Sequence, residues 1–173
     1  MTGIWLLPSR LGVVDSGLEA WLDLPLPGVK PALGAAAAYA AFCCEHWEVY
    51  RRFAGVVTGD PATGEQAARA AFGELRAQWS TALRSPAPSA LAWRLLGATT
   101  ASSRTLTMRT LQLTLDSRQV DALVLHHRLG LSAQQAGHAM GITPTAFELL
   151  RRSALRRAAA FQHVSHMPPS DAP

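Results

Sequence analysis

The sequence predicts an all-α protein made of two small helical domains, a three-helix bundle followed by a C-terminal helix-turn-helix. Of the 173 residues, 49% are hydrophobic but only 7% are aromatic, so Ala supplies much of the apolar content and favours helices. Apolar residues recur at steps of three to five, as on one face of a helix. Proline and glycine clusters divide these stretches into short segments, which predicts a bundle with short turns.

Three segments are predicted to lie outside the two domains. Residues 1–34 form an irregular N-terminal extension, because prolines and glycines interrupt its helical patterns. Trp5 and Trp21 make this extension too apolar for a free tail, so we expect it to pack on the protein itself or on a partner. Residues 101–114 are rich in Ser and Thr and predict a linker or loosely helical connector, and residues 161–173 predict a flexible tail.

Residues 35–100 are predicted to form the three-helix bundle. Between its first two helices, Gly59 suits a left-handed C-terminal residue, Asp60 suits the next N-cap, and Pro61 suits the first helical turn. The third helix is expected near residues 90–100, after a Pro-rich break.

Residues 115–160 are predicted to form the helix-turn-helix. Asp116 with Gln119 forms a capping box that starts its scaffold helix, and Ser132 with Gln135 forms a second one for the short helix that follows. This spacing of local start signals favours short helices joined by tight turns.

The last turn and the last helix complete this pattern. Gly141 suits a left-handed turn residue, Thr143 suits an N-cap, and Pro144 suits the first helical position. Phe147, Leu150 and Ala154 are expected on the inner face of the final helix.

The formal charge of +4 is unevenly distributed along the chain. Residues 1–75 carry 5 Lys/Arg and 8 Asp/Glu, a balance of −3, whereas residues 76–173 carry 11 and 4, a balance of +7. A basic half favours a polyanionic partner, and an acidic half favours a basic protein surface. The only early apolar run, Ile4–Leu7, is too short for a signal peptide or a membrane span, so we expect a cytoplasmic protein with no membrane partner.

A helix-turn-helix presents the first turn of its second helix to base edges, while arginines bind phosphates. The alternative from spacing alone is a plain helical hairpin whose arginines are solvated and complement the helix dipole. The predicted DNA-binding residues are Thr143, Pro144, Thr145, Glu148, Arg151, Arg152, Arg156 and Arg157.

Catalytic and metal-binding patterns are not found in the sequence. It contains no HExxH, phosphate-binding loop, dinucleotide fingerprint or Ser/His/Asp set. Cys43 and Cys44 are adjacent and are predicted to be reduced thiols, and His46 nearby has no second ligand cluster to complete a metal site. The sequence therefore predicts neither an enzyme, nor a cofactor, nor a metal ion.

Stretches of the C-terminal half resemble region four of bacterial RNA polymerase sigma factors. These are Leu115–Leu125 (LDSRQVDALVL), Gly130–Ser132 (GLS), Gly141–Thr143 (GIT), and Phe147–Ala154 (FELLRRSA), which is similar to the family's recognition helix. The resemblance implies binding to the promoter element near −35 and contact with the flap of the polymerase beta subunit. Ala136-Gly137 departs from the Ile-Ala that is usual in the family.

The predicted bundle is similar to region two of the extracytoplasmic-function (ECF) subfamily. The similar stretches are Ala41-Phe42, His46-Trp47, Tyr50-Arg51-Arg52, Thr58-Gly59-Asp60-Pro61, Glu65–Phe72 and Trp93–Leu96. The resemblance implies contacts with core polymerase from this region and from region four. The polymerase-binding residues that it implies are Glu65, Arg69, Phe72, Leu123 and Val124.

Two departures concern the residues that give region two its function. Of the acidic residues with which the family grips the polymerase clamp, only Glu65 is retained. The segment Ala98–Arg104 holds one basic residue and no aromatic one, although opening DNA needs stacking surfaces and basic contacts to a single strand.

The resemblance predicts an ECF-type sigma factor that binds core RNA polymerase and promoter DNA and directs transcription initiation. An anti-sigma or other regulatory protein is a further candidate partner. The alternative is a sigma-derived regulator that binds DNA or a protein without melting promoters.

Overall fold

The computed structural model describes residues 33–165, and its side chains from Gly34 to Phe161. Within that range the regular elements are all helical, which confirms the all-α class. The α-helices are α1 (Leu33–Thr58), α2 (Pro61–Ala77), α3 (Trp79–Ala82), α4 (Pro88–Thr100), α5 (Leu106–Thr114), α6 (Ser117–Leu123), α7 (Ala133–Met140) and α8 (Pro144–Ser165). A 3₁₀ turn covers Ala101–Ser103 and a π-helical turn covers Val124–Arg128.

The boundaries predicted for the irregular segments differ from those in the structure. The extension predicted for residues 1–34 and the tail predicted for 161–173 lie largely outside the described residues, but α1 begins at Leu33 and α8 extends to Ser165. The connector predicted for 101–114 is mostly helical, because Thr105 acts as an N-cap and accepts a hydrogen bond from the Met108 amide at 3.3 Å. One of the threonines that suggested a linker is therefore the N-cap of a helix.

The three long helices α1, α2 and α4 form the N-terminal bundle around buried rings. Tyr50, Phe53 and Phe72 are at most 1% exposed. Gly59 has a φ of +73°, and the Asp60 carboxylate accepts a hydrogen bond from the Thr63 amide at 2.7 Å. The predicted stop and restart between the first two helices is thus confirmed.

Local signals in the C-terminal half also form as predicted. Both capping boxes are present, one at the start of α6 and one at the start of α7, and Gly141 is left-handed with a φ of +66°. Phe147 and Ala154 of α8 are fully buried. Helical spacing after Val120 predicts that His127 packs on the apolar face of the scaffold helix. This prediction is wrong, because the π-helical turn inserts extra backbone, so that Leu125 is buried and His127 is exposed.

The two halves pack against each other, and their buried apolar residues form one continuous cluster. Tyr50 of α1 donates a hydrogen bond from its hydroxyl to the Ala139 carbonyl of α7 at 2.9 Å. Gly141 lies so close to the Ala90 backbone of α4 that a Cβ on it would collide. The division into two domains at residues 100 and 115 stays a prediction.

Candidate DNA-binding surface

The turn between α7 and α8 places the start of α8 at the surface. Thr143 caps α8 by accepting the Ala146 amide on its hydroxyl at 3.1 Å, as the sequence predicts. Gly137 allows the turn to close, because a Cβ there would lie 2.9 Å from the Ile142 carbonyl oxygen. The predicted residues Thr143, Pro144 and Thr145 are all exposed, so the first turn of α8 is available to a ligand.

The opposite faces of α8 differ sharply in exposure. Phe147 and Ala154 are fully buried against the other helices. On the outer face the exposed residues follow one another at steps of four, three and four, so they form a single stripe along the helix. This outer stripe consists of Thr145, Leu149, Arg152 and Arg156.

Leu149 is a candidate contact residue that the sequence analysis missed. Its side chain is 62% exposed in the middle of the outer stripe. An exposed apolar side chain at this place in a recognition helix can contact a thymine methyl group in the major groove. The signal that could have identified it was its position four residues after Thr145, which puts it on the outer face.

Glu148 is surrounded by the arginines on its C-terminal side. Its Oε2 accepts a hydrogen bond from Nη2 of Arg151 at 2.8 Å and lies 3.7 Å from Nε of Arg152. The hydrogen bond from Arg151 holds the pKa of the Glu148 carboxyl below its ordinary value. Glu148 therefore stays charged and orients Arg151, which has less freedom for a phosphate than Arg152.

The last two predicted arginines have different surroundings. Nη1 of Arg157 donates to Oε1 of Gln119 at 3.2 Å and lies 3.8 Å from the Asp116 carboxylate, so it ties α8 to the capping box of α6. Arg156 is exposed and makes no ion pair within the described part of the chain. Arg152 and Arg156 are therefore the arginines best placed for phosphate contacts.

The residues that the sequence resemblance assigns to polymerase binding are not equally accessible. Phe72 and Val124 are 1% and 3% exposed, so a direct contact between them and a partner would require the core to open. Leu123 is half-buried. Glu65 and Arg69 form an ion pair at 2.8 Å, and the Arg69 guanidinium lies 5.4 Å from the ring centroid of Trp47.

The single basic residue of the segment 98–104 is buried. Nη2 of Arg104 lies 3.3 Å from Oδ1 of Asp121, whose Oδ2 accepts a hydrogen bond from the Trp93 indole at 3.1 Å. Burial raises the pKa of the Asp121 carboxyl, while Arg104 and Trp93 oppose the rise. These three residues join the bundle, the connector and α6, and none of them faces solvent.

Comparisons with protein-family models, curated proteins and solved structures found no match to this chain. None of the helices between residues 33 and 165 is long and apolar enough to cross a membrane.

Proposed function

We propose that this chain is a sigma-type transcription factor that holds promoter DNA with α8 and binds core RNA polymerase. The observation that carries the proposal is the outer face of α8, where an exposed capped first turn is followed by an exposed stripe ending in Arg152 and Arg156. A recognition helix needs this arrangement, because its first turn contacts bases and its later residues contact the backbone.

Charge supports the same assignment. Between Pro144 and Phe161, α8 carries four arginines and one glutamate, a balance of +3. Because binding to phosphates releases counterions, each arginine that contacts DNA adds affinity and steepens the dependence on salt. If α8 belonged to a plain helical hairpin, the affinity for DNA would depend on salt only as strongly as the net charge of the protein requires.

The polymerase side of the proposal depends on the resemblance. Charge adds no support, because residues 35–100 carry six arginines and five acidic residues. Glu48 and Glu65 are also paired with Arg51 and Arg69, at 2.9 and 2.8 Å, so they do not form an unpaired acidic surface.

A second candidate function is a regulator that binds DNA without melting promoters. It is favoured by the burial of Arg104, the one basic residue in the segment where the family contacts single-stranded DNA. The nearby Trp93 is also buried, 5% exposed, and cannot stack on a base in this conformation.

DNA binding is tested by Arg152→Ala with Arg156→Ala, measured against duplex DNA over a range of salt concentrations. We expect weaker binding and a salt slope reduced by about 2, roughly 1 per phosphate contact. Arg84→Ala is the matched control, since Arg84 is exposed on another part of the chain. Equal slopes for the double variant and the control would contradict the assignment of α8.

The two candidate functions are separated by binding to purified core RNA polymerase, followed by transcription from a promoter library. Saturable binding with promoter-specific transcripts would support the sigma factor. DNA binding without core binding would leave the regulator as the function.

A further inference from the structure

Three side chains that share metal-binding chemistry meet where α1 contacts α7. Glu45 and His46 are neighbours on α1, and His138 comes from α7. Nε2 of His138 lies 2.8 Å from Oε1 of Glu45, and Nε2 of His46 lies 4.0 Å from Oε2 of Glu45. One donor atom from each residue lies within 4.8 Å of the other two.

His46 is the residue that makes this more than a surface ion pair. It is 3% exposed, and its Nε2 lies 4.0 Å from Oε2 of Glu45. The cluster therefore includes an imidazole that the fold holds inside the protein, beside a carboxylate and a second imidazole at the surface. Neutral imidazole is a common metal ligand in proteins.

The surroundings of the cluster hold the buried imidazole of His46 in place. The His46 ring packs 4.2 Å from the Phe42 ring and stacks on the His138 ring at 4.9 Å with an interplanar angle of 20°. Glu45 and His138 are 58% and 57% exposed at their side chains, so they line the open side. The cluster thus has one rigid buried donor and two donors that an ion can reach from solvent.

We propose that Glu45, His46 and His138 bind a divalent transition-metal ion, with Zn²⁺ the expected one, at the contact between α1 and α7. Two imidazoles and a carboxylate are a known ligand set for zinc, with a fourth position left for water. Hard cations such as Mg²⁺ and Ca²⁺ take oxygen ligands and do not fit two imidazoles.

Binding an ion requires the donors to move closer together. Donors about 2.1 Å from one tetrahedral ion lie about 3.4 Å apart, so a pair now separated by as much as 4.8 Å must approach by about 1.4 Å. Glu45 and His138 have exposed side chains with the freedom to close the remaining distance. Cys43 and Cys44 lie outside the cluster.

An ion in this site would connect the bundle to the helix-turn-helix. Glu45 and His46 belong to α1, whereas His138 lies on the helix that supports the turn before α8. Because an ion that binds the folded state alone stabilises it by mass action, metal binding should strengthen the contact between α1 and α7.

The test uses the full chain without a polyhistidine tag, stripped with EDTA and then titrated. Calorimetry with Zn²⁺ and visible absorption with Co²⁺ should both give one ion per chain. The Co²⁺ spectrum should lack a thiolate charge-transfer band, since both cysteines lie outside the cluster. Zn²⁺ should also raise the Tm and slow the hydrogen exchange of the α7 amides, and EDTA should reverse both effects.

His138→Gln and Glu45→Gln are the informative variants, because both residues are exposed and their loss should not prevent folding. We expect either one to weaken Zn²⁺ binding by more than about 100-fold, since even outer-shell partners cost 10–100-fold. Similar Tm values in EDTA would show that these variants fold. His127→Gln and Glu48→Gln are matched controls on exposed residues of the same regions and should bind Zn²⁺ as the unmodified chain does.

Three outcomes would overturn the proposal. The unmodified chain could fail to bind Zn²⁺, which would leave a simple hydrogen-bonded pair of Glu45 and His138. His138→Gln could bind Zn²⁺ as tightly as the unmodified chain. Loss of binding in His127→Gln instead would place the ion on the neighbouring pair His126 and His127, whose ring centroids lie 4.8 Å apart.

Discussion

In the N-terminal bundle, buried aromatic rings from three helices meet. In the described part of the C-terminal half one phenyl ring is buried, and the starts of the helices are fixed by caps. Tyr50 stacks on Phe72 at 5.4 Å, and Phe53 lies 4.6 Å from Trp93. In the described C-terminal half, Phe147 is fully buried while Phe161 is 58% exposed. That half instead carries two complete capping boxes and two left-handed glycines, Gly130 and Gly141.

This difference indicates which interactions specify each region. Rings that come from distant parts of the chain specify the bundle through tertiary packing, which contributes most of the stability of a helix. Caps act within four residues and specify where a helix starts, whatever it packs against. The regions meet at the ion pair of Arg104 with Asp121 and at the contact of Gly141 with Ala90.

The largest effect is expected from Asp121→Asn, which breaks the joint between the two regions. It leaves the Arg104 guanidinium buried without its counter-ion, and removing one partner of a buried pair costs about 3–5 kcal/mol. Urea unfolding followed by circular dichroism measures the loss.

Glu48→Gln is the control for this variant, because it breaks an exposed ion pair with Arg51 that lies at 2.9 Å. Exposed pairs contribute at most about 1 kcal/mol. If both variants lost the same small amount, Asp121 would already be neutral in the folded protein, and the joint would depend on the Trp93 hydrogen bond instead.

Acid should weaken the protein through His46, a bundle residue that faces α7. Because burial, with His138 nearby, lowers the pKa of this imidazole to about 4 from 6.5, the folded state excludes a proton that the unfolded state binds. The stability present above pH 6.5 is therefore lost as the pH falls towards 4, by about 3 kcal/mol. The free energy of unfolding measured in EDTA from pH 7 to 4 tests this.

His46→Gln isolates that contribution, since glutamine does not titrate. The unmodified chain should lose about 3 kcal/mol more than this variant over the same range. His127→Gln is the exposed control and should follow the unmodified chain. Parallel curves for the unmodified chain and His46→Gln would mean that folding does not lower the pKa of His46.

Replacing Gly141 or Gly130 with alanine should distinguish two costs in stability. One is the collision between the two regions, and the other is the left-handed backbone of a turn. Gly141 and Gly130 both have positive φ values, +66° and +70°. A Cβ on Gly141 would lie 2.7 Å from Cα of Ala90, whereas a Cβ on Gly130 would have no neighbouring side chain or backbone within 4 Å. Either change to Ala costs about 1–2 kcal/mol for the left-handed backbone. Gly141→Ala should cost about 1–3 kcal/mol more because it forces α4 away.

Thermal or urea unfolding of the two alanine variants provides the measurement. Equal losses of stability would show that α4 can move away at little cost and that the two regions are loosely packed against each other. A larger loss for Gly141→Ala would show a close-packed joint.

The features that the sequence predicted correctly are those with local causes. Gly59, the box of Asp116 with Gln119, and Gly141 each follow from the chemistry of a few consecutive residues. The π-helical turn was missed because nothing in its spacing distinguishes it from a regular helix, and it moved His127 to the surface.

The candidate sites show the same limit. The outer face of α8 follows from helical periodicity, so most of its residues were predicted. The cluster of Glu45 and His138 joins residues 93 positions apart, and only the packing of α1 on α7 brings them together. Phe72 was expected to bind a partner because of a resemblance between sequences, but a resemblance cannot show that the ring is 1% exposed.

The smallest effect, about 1 kcal/mol for the loss of an N-cap, gives the sharpest test of whether the two regions unfold together. Ser132→Ala removes a cap in the C-terminal half, and Asp60→Ala removes one in the bundle. All five tryptophans precede residue 94, so their fluorescence reports the N-terminal half, whereas circular dichroism reports helices in both. Because the buried residues form one cluster, we expect each variant to shift both transitions equally. If Ser132→Ala shifted the circular dichroism transition and left the fluorescence transition in place, the two regions would be independent domains whose contact adds little stability.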